Sequence, residues 1–306
     1  MKVLFVTFHP LEGIGGGIFA SKAYVRAFGK LFPGQMDLVY PKIDNTEPPQ
    51  IAGINKMIPV EDNRSKVLKL LNLFRGHVHR NYRSLPEILK NNKYDLVVFD
   101  HSRVTAGVVG IAKHSGAKII TIHHNYEVEF SRDNNIFPLK QFMMFWMKRH
   151  EYTAIQTSDL NLVLTEQDKD LMHKHYDPTK QKQIRTIGTF ESEYKKLPAT
   201  IEKNASTQVY VITGDLSSMQ TKESLLPWLE TYYPLFKKNI PNAKLIIAGR
   251  NPSSSIIEKC SHLGIELIPS PKDMGEVLIR KAMTMSSTNM APMKSSGPTA
   301  WRTHTP

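Results

Sequence analysis

The chain of 306 residues contains one cysteine, Cys260. A lone thiol makes neither an internal disulfide nor a thiolate metal cluster, so nothing points to an oxidising compartment and the cytoplasm is the expected location. Long apolar runs are missing too, whereas a bilayer span takes about 20 such residues. The apolar residues 3–6 follow a basic Lys2, as in a signal peptide, but the run stops at Thr7-Phe8-His9-Pro10 with no small-residue cleavage site behind it. It reads as a first strand. A Walker A loop is absent, as is a G-x-G-x-x-G fingerprint followed by a distant acidic residue, which argues against a dehydrogenase. Neither His77-Val78-His79 nor His173-Lys174-His175 comes with a cysteine and carboxylate set that would complete a ligand shell, so no bound metal is expected. Acidic residues are scarce: 28 Asp and Glu face 40 Lys and Arg, a net charge of +12. That excess favours anionic partners, whether nucleotide phosphates, lipid head groups or nucleic acid. Nucleic acid ranks last, because no stacking motif or recognised binding module accompanies the charge.

What is present is an alternation of short apolar runs and helical patterns. Residues 2–8 read as a strand, 13–17 as a glycine loop, and 18–31 as a helix with Phe19, Ala23, Ala27 and Leu31 on one buried stripe. A strand at 36–40 precedes a proline-rich loop and basic helical segments over 64–92. Continuous apolar strands at 95–99 and 118–122 flank a helical stretch at 104–114, and runs of this kind suit a parallel sheet covered on both faces. A polar loop at 124–135, an apolar helix at 137–155, a strand at 160–164 and a short strand at 183–187 complete a domain of residues 1–190. Thr165 reads as a helix N-cap, with Asp168 at the capping-box position. Residues 191–206 have no periodicity and read as a linker. A second series follows over 207–278, with strands at 209–213, 243–248 and 265–268 and helices at 224–238 and 254–263. The expected fold is α/β, with two Rossmann-like domains of parallel strands and right-handed crossovers. From 279 to 306 the pattern fails, with no acidic residue after Glu276. This reads as an irregular tail or an interrupted reading frame, leaving the second domain incomplete.

In order along the chain stand Gly15-Gly16-Gly17 after the first strand, Thr121-Ile122-His123-His124-Asn125-Tyr126-Glu127, Leu164-Thr165-Glu166-Gln167-Asp168, Ile212-Thr213-Gly214-Asp215-Leu216, and Pro241-Asn242-Ala243-Lys244-Leu245-Ile246-Ile247-Ala248-Gly249-Arg250. Together these resemble the family 4 glycosyltransferases of GT-B architecture, especially those of bacterial surface-polysaccharide synthesis, over residues 1–278. The resemblance implies transfer of a sugar from a nucleotide-sugar donor to a glycan or lipid-linked acceptor, with retention of anomeric configuration and without a metal or other cofactor. It places the acceptor in the first domain, the nucleotide in the second, and the reaction in the cleft between them. The chain departs from the family beyond Leu278, where a glycine-rich loop and a helix with a glutamate pair are expected. A catalytically impaired remnant that serves as a binding or scaffold module is therefore the alternative.

Gly15, Gly16 and Gly17 sit between a strand and a helix start, where free backbone N–H groups and the helix dipole suit a phosphate; steric need alone also puts glycines in such turns. His123 and His124 close a strand at the carboxyl edge, where open α/β sheets bind ligands. The resemblance puts one of them near the transferred sugar, and His123 is taken as the catalytic candidate. Adjacent strand residues face opposite ways, so one of the two is expected in the site. Asp100-His101 ends another strand at the same edge, where a catalytic pair is conceivable and a solvated strand end is the preferred reading; Glu127 and Glu129 are weaker candidates for acceptor contacts, since loop carboxylates are usually solvated. Gly214, Lys222 and Arg250 are the candidates for the donor's diphosphate. The basic residues Arg64, Lys66, Lys69, Arg75, Arg80, Arg83, Lys90 and Lys93, and the aromatic run at 142–146, suggest peripheral contact with an anionic membrane as well as an ordinary solvated or packed face.

Overall fold

A computed structural model of the chain describes residues 1–12, 16–42, 50–61, 84–105, 108–134, 139–189 and 208–271, with Val67, Leu71 and Val277. Gly15, the linker at 191–206, the tail at 279–306 and the basic residues from Arg64 to Arg83 lie outside the described residues. Two compact units divide between Glu193 and Tyr194.

The first unit is built on a sheet of strands β1 (Val3–Thr7), β2 (Met36–Lys42), β3 (Ile54–Glu61), β4 (Leu96–Asp100), β5 (Lys118–His123), β6 (Leu160–Val163) and β7 (Ile184–Thr186). Their order is β3-β2-β1-β4-β5-β6-β7, and every neighbouring pair runs parallel. β1 and β4 are buried at every position, as strands covered on both faces must be. Their side chains alternate between two cores. Leu4, Val6, Val97 and Phe99 pack with Leu85 and Leu89 of helix α2 (Ser84–Asn91) and Val109 and Ala112 of α3 (Val109–His114). Val3, Phe5, Leu96 and Val98 pack on the other face with Ala20, Tyr24 and Val25 of α1 (Gly16–Leu31). The two-residue period of a strand thus produces a three-layer α/β sandwich.

Four readings from the sequence are corrected. The expected stripe on α1 is not the buried one: Phe19 and Leu31 are 49% and 68% exposed, while Ala20, Ser21, Ala23, Tyr24, Val25 and Gly29 face inward. A four-residue step overshoots a helical turn by about 40°, so residues three such steps apart cannot share one face. β3 is a strand where none was expected; it contains Pro59 and lies at the sheet edge, where a missing N–H is tolerated. The polar loop at 124–135 instead contains helix α4 (Glu127–Asn134), which has no apolar period to betray it. It leads to α5 (Leu139–Thr157), the apolar helix expected at 137–155. The single helix expected at 224–238 is two, α7 (Met219–Thr231) and α8 (Tyr233–Asn239), with a proline in the first turn of α8. Pro234 has no N–H to carry a helix through this point.

Between β6 and β7, α6 (Glu166–Tyr176) starts as expected: Thr165 Oγ1 accepts from the Asp168 backbone N–H at 3.0 Å. The second unit contains a parallel sheet in the order β10-β9-β8, from β8 (Val209–Asp215), β9 (Lys244–Arg250) and β10 (Glu266–Pro269), with α9 (Ser254–His262) between the last two. Leu216, Leu225, Leu229, Ile247, Ile256 and Cys260 fill its core.

Gly214 and Gly249 are register partners on β8 and β9. A Cβ on Gly249 would lie 2.1 Å from the Gly214 carbonyl oxygen and 2.8 Å from Leu216 Cγ, both parts of a packed sheet that cannot swing aside. Gly249→Ala is therefore expected to destabilise the second unit by about 2 kcal/mol or more. Urea unfolding monitored in that unit tests this; an unshifted midpoint would show that the strands separate at little cost.

Candidate active site

The sheet order reverses between β1 and β4, since the chain builds outward from β1 through β2 and β3 and then returns to its other side. At such a switch point the two crossover loops part and leave a crevice at the carboxyl ends of the strands. The register sets Thr7 of β1 beside Asp100 of β4, and Asp100 beside Ile122 of β5. The residues that follow these partners are His9, His101, and the pair His123 and His124. Three strand ends thus deliver four histidines to one edge.

The centre of the site is Asp100, which is fully buried. His124 Nε2 lies 2.6 Å from its Oδ1. Burial alone would raise the Asp100 pKa, but His124, the nearby Ser21 hydroxyl of α1 and the charge of His9 hold it below the usual carboxylate range. Burial works the other way on His124, and the Asp100 carboxylate overcomes it, so His124 is raised above an ordinary imidazole. The His124 ring stacks on His101 with centroids 5.5 Å apart and meets His9 edge-on at 5.5 Å. Phe8 packs on His101 at 4.5 Å.

His101 has φ 114°, a left-handed backbone that is strained for a side-chain-bearing residue and of the kind that gathers at functional sites. Its Nδ1 accepts from the Arg103 backbone N–H at 3.2 Å, which leaves the proton on Nε2, 3.2 Å from Glu127 Oε1. Burial lowers the His101 pKa, so it serves as a neutral donor. Arg103, from the 3-10 turn Ser102–Thr105, pairs through Nη2 with Glu127 Oε2. Burial alone would raise Glu127, but His101 and Arg103 together keep it ionised well below the usual range. Asp100, His101 and Glu127, expected to be solvated, are thus the buried heart of the site, with Arg103 as the cation that makes the second carboxylate tolerable.

His123 is also buried, but its partner is Asn161 Oδ1 of β6, 3.0 Å from Nε2. Burial drives its pKa down to about 4. Its Nδ1, together with Arg103 Nε and Ser102 Oγ, is buried without a hydrogen-bond partner. Of the adjacent pair, His124 joins the His9, His101 and Asp100 cluster, while His123 turns to β6.

Gly16 and Gly17 open α1, whose first turn holds no acidic residue to neutralise its positive end. A Cβ on Gly17 would come within 2.6 Å of His9 Nε2, so this glycine also makes room for the histidine. In the second unit, Gly214 and Arg250 stand at the carboxyl ends of β8 and β9, and Arg250 Nη2 donates to Asp215 Oδ2 at 2.5 Å. Lys222 lies in the first turns of α7, half-buried. His9, Arg103 and Glu151 of α5, described below, were not singled out from the sequence. For His9 a signal existed, since it follows a strand end as His101 and His124 do. Among the described residues no three His, Cys, Asp or Glu side chains are grouped to hold a metal ion. None of the described helices is long and apolar enough to cross a membrane.

Two Rossmann-like units in succession, the first with its buried polar cluster at the switch point, make up the two-domain GT-B fold. The fold is similar to that of lipopolysaccharide outer core galactosyltransferase WaaB in its apo form, with a TM-score of 0.59 at 16% identity over 93% of this chain and 72% of that one. A sucrose-phosphate synthase from Thermosynechococcus elongatus gives 0.57 at 12% identity, over 93% and 74%. Anabaena HepE, solved in complex with UDP and glucose, gives 0.53 at 12% identity, over 91% and 72%. No curated protein sequence matches the chain. The family model for Glycosyltransferase Family 4 matches residues 35–190, about half of the chain, and the protein belongs to that family. It is a glycosyltransferase.

Stability should follow the buried His123. Its folded pKa of about 4 lies below the 6.5 of an ordinary imidazole, so below that value the unfolded chain takes up a proton that the folded chain refuses. Stability is therefore complete above about pH 6.5 and is lost toward pH 4, by about 3 kcal/mol at most. Glu127, also depressed, adds a further loss below the ordinary glutamate range. In chemical denaturation at a series of pH values, His123→Gln should flatten the upper part of this slope; an unchanged slope would place its origin elsewhere.

Proposed function

We propose that the chain transfers a sugar, with retention, from a nucleotide-sugar donor to a glycan or lipid-linked acceptor of the cell surface, and needs no metal or other cofactor to do so. The observation that carries this reading is the cluster of His9, His101 and His124 around the buried Asp100 at the carboxyl edge of the first sheet, in a chain of this family. His124, raised above an ordinary imidazole, offers a charged partner to sugar hydroxyls. The N–H groups at the start of α1, beside Gly16 and Gly17, suit an anion. The nucleotide reading is supported by Gly214, Lys222 and Arg250 at the carboxyl edge of the second sheet, and by the UDP bound in HepE. A departing diphosphate is stabilised by such fixed dipoles and cations without a metal. Exposed Phe145 and Tyr152 beside exposed Lys148 and Arg149 on α5 support peripheral contact with the inner face of a membrane that carries the acceptor.

Calorimetric titration with UDP, GDP and their common sugar conjugates tests the donor. Saturable binding of one nucleotide is expected, weakened about tenfold or more by Arg250→Ala or Lys222→Ala. His124→Ala should leave that affinity nearly intact and lower turnover by about a hundredfold. Folded protein that binds none of these nucleotides would overturn the donor reading and favour a binding or scaffold role.

A further inference from the structure

Glu127, which holds both His101 and Arg103, is the first residue of α4, so its aim depends on what fixes the start of that helix. Two backbone N–H groups there are bound by carboxylates from other elements. The Glu127 N–H donates to Glu151 Oε1 of α5 at 2.7 Å. The Tyr126 N–H donates to Asp168 Oδ1 of α6 at 3.0 Å. Each carboxylate is itself held. Tyr176 donates its hydroxyl to Glu151 Oε2 at 2.8 Å, and Thr165 donates its own to Asp168 Oδ2 at 2.6 Å. Glu151 is fully buried, and two of these hydrogen bonds tie it to the Glu127 amide and the Tyr176 hydroxyl.

We propose that Glu151 is a positioning residue for sugar transfer: by binding the Glu127 amide and the Tyr176 hydroxyl it sets the first turn of α4, and so the Glu127 carboxylate against His101 and Arg103. This rests on the sugar-transfer reading above. Both oxygens of Glu151 accept, and burial favours its neutral form. Burial and the charge of Glu127 raise it to about 8, against the opposing pull of the Glu127 amide, Tyr176 and Arg103. The charged and titratable groups around it are Glu127 of α4, Arg103 of the 3-10 turn, Tyr176 of α6 and Tyr126 before α4. When Glu151 ionises, two carboxylates share this interior with the single guanidinium of Arg103, and the arrangement that aims Glu127 is disfavoured.

Two readouts over about pH 5.5 to 9.5 test the assignment with the full chain and its Glu151→Gln and Glu151→Ala forms. In the first, kcat of the native chain falls about tenfold through an alkaline limb centred near pH 8. Glu151→Gln, which keeps an acceptor for the Glu127 amide and cannot ionise, lacks that limb. Glu151→Ala lowers kcat about tenfold across the range with KM for the donor within about twofold. A limb that survives in Glu151→Gln, or an undiminished kcat in Glu151→Ala, overturns the proposal. The second readout needs no activity. A carboxyl whose folded pKa is raised contributes stability that is lost as pH rises toward that pKa, so the melting midpoint of the native chain drops relative to Glu151→Gln up to about pH 8. A constant gap overturns the buried, neutral Glu151 even if no sugar transfer is found. A widening gap with no transfer upholds the arrangement and sinks only the sugar-transfer reading. If Glu151→Ala fails to fold, the glutamine form decides both readouts.

Discussion

A carboxylate without water must find its compensation in the protein, and Asp100 is such a group. It stands at the end of β4, at the point where the strand order reverses. Its compensation comes from His124 after β5, from Ser21 on α1 and from the charge of His9 after β1. Three separate segments are therefore constrained by one buried charge. The same constraint orders the histidines, since His124 held on Asp100 leaves its ring face for His101. Without Asp100 the strand ends would still meet, because the register and the apolar cores fix them, but their side chains would have no common focus.

Around this centre the protein keeps two further buried carboxyls in opposite states. Glu127 has His101 and Arg103 on its oxygens and stays charged. Glu151 has a backbone amide and a phenol, and burial raises its pKa to about 8. Environments that push two like groups apart in this way are a mark of sites that handle protons or fixed charge. The division also limits the cost of burial, because one guanidinium suffices for the one charge present.

Much of the fold was legible in local pattern. The continuous apolar runs at β1, β4, β5 and β9 have few ways to be buried other than in a sheet covered on both faces, and Thr165 announced the start of α6. Errors fell where local signals compete with context. β3 was not expected, and its edge position excuses a proline, Pro59, that a central strand would not. The polar stretch before Asn135 hid α4, whose start is held by Glu151 and Asp168 rather than by any residue beside it in the chain. The spacing Phe19, Ala23, Ala27, Leu31 misled because four is longer than a helical turn.

The sequence by itself determined the two β/α series, the strand ends that carry histidine, and the class of protein that such an order of motifs belongs to. These depend on periodicity and on neighbours within a few residues. Which polar side chains lose their water was decided by tertiary structure alone. Asp100 meets His124, and Glu127 meets Glu151, each across 24 residues. A carboxylate on a polar loop and one at the hub of a buried network look the same in a sequence. Desolvation is set by what the sheet crossovers pack above the residue, and the chain on either side of it does not record that.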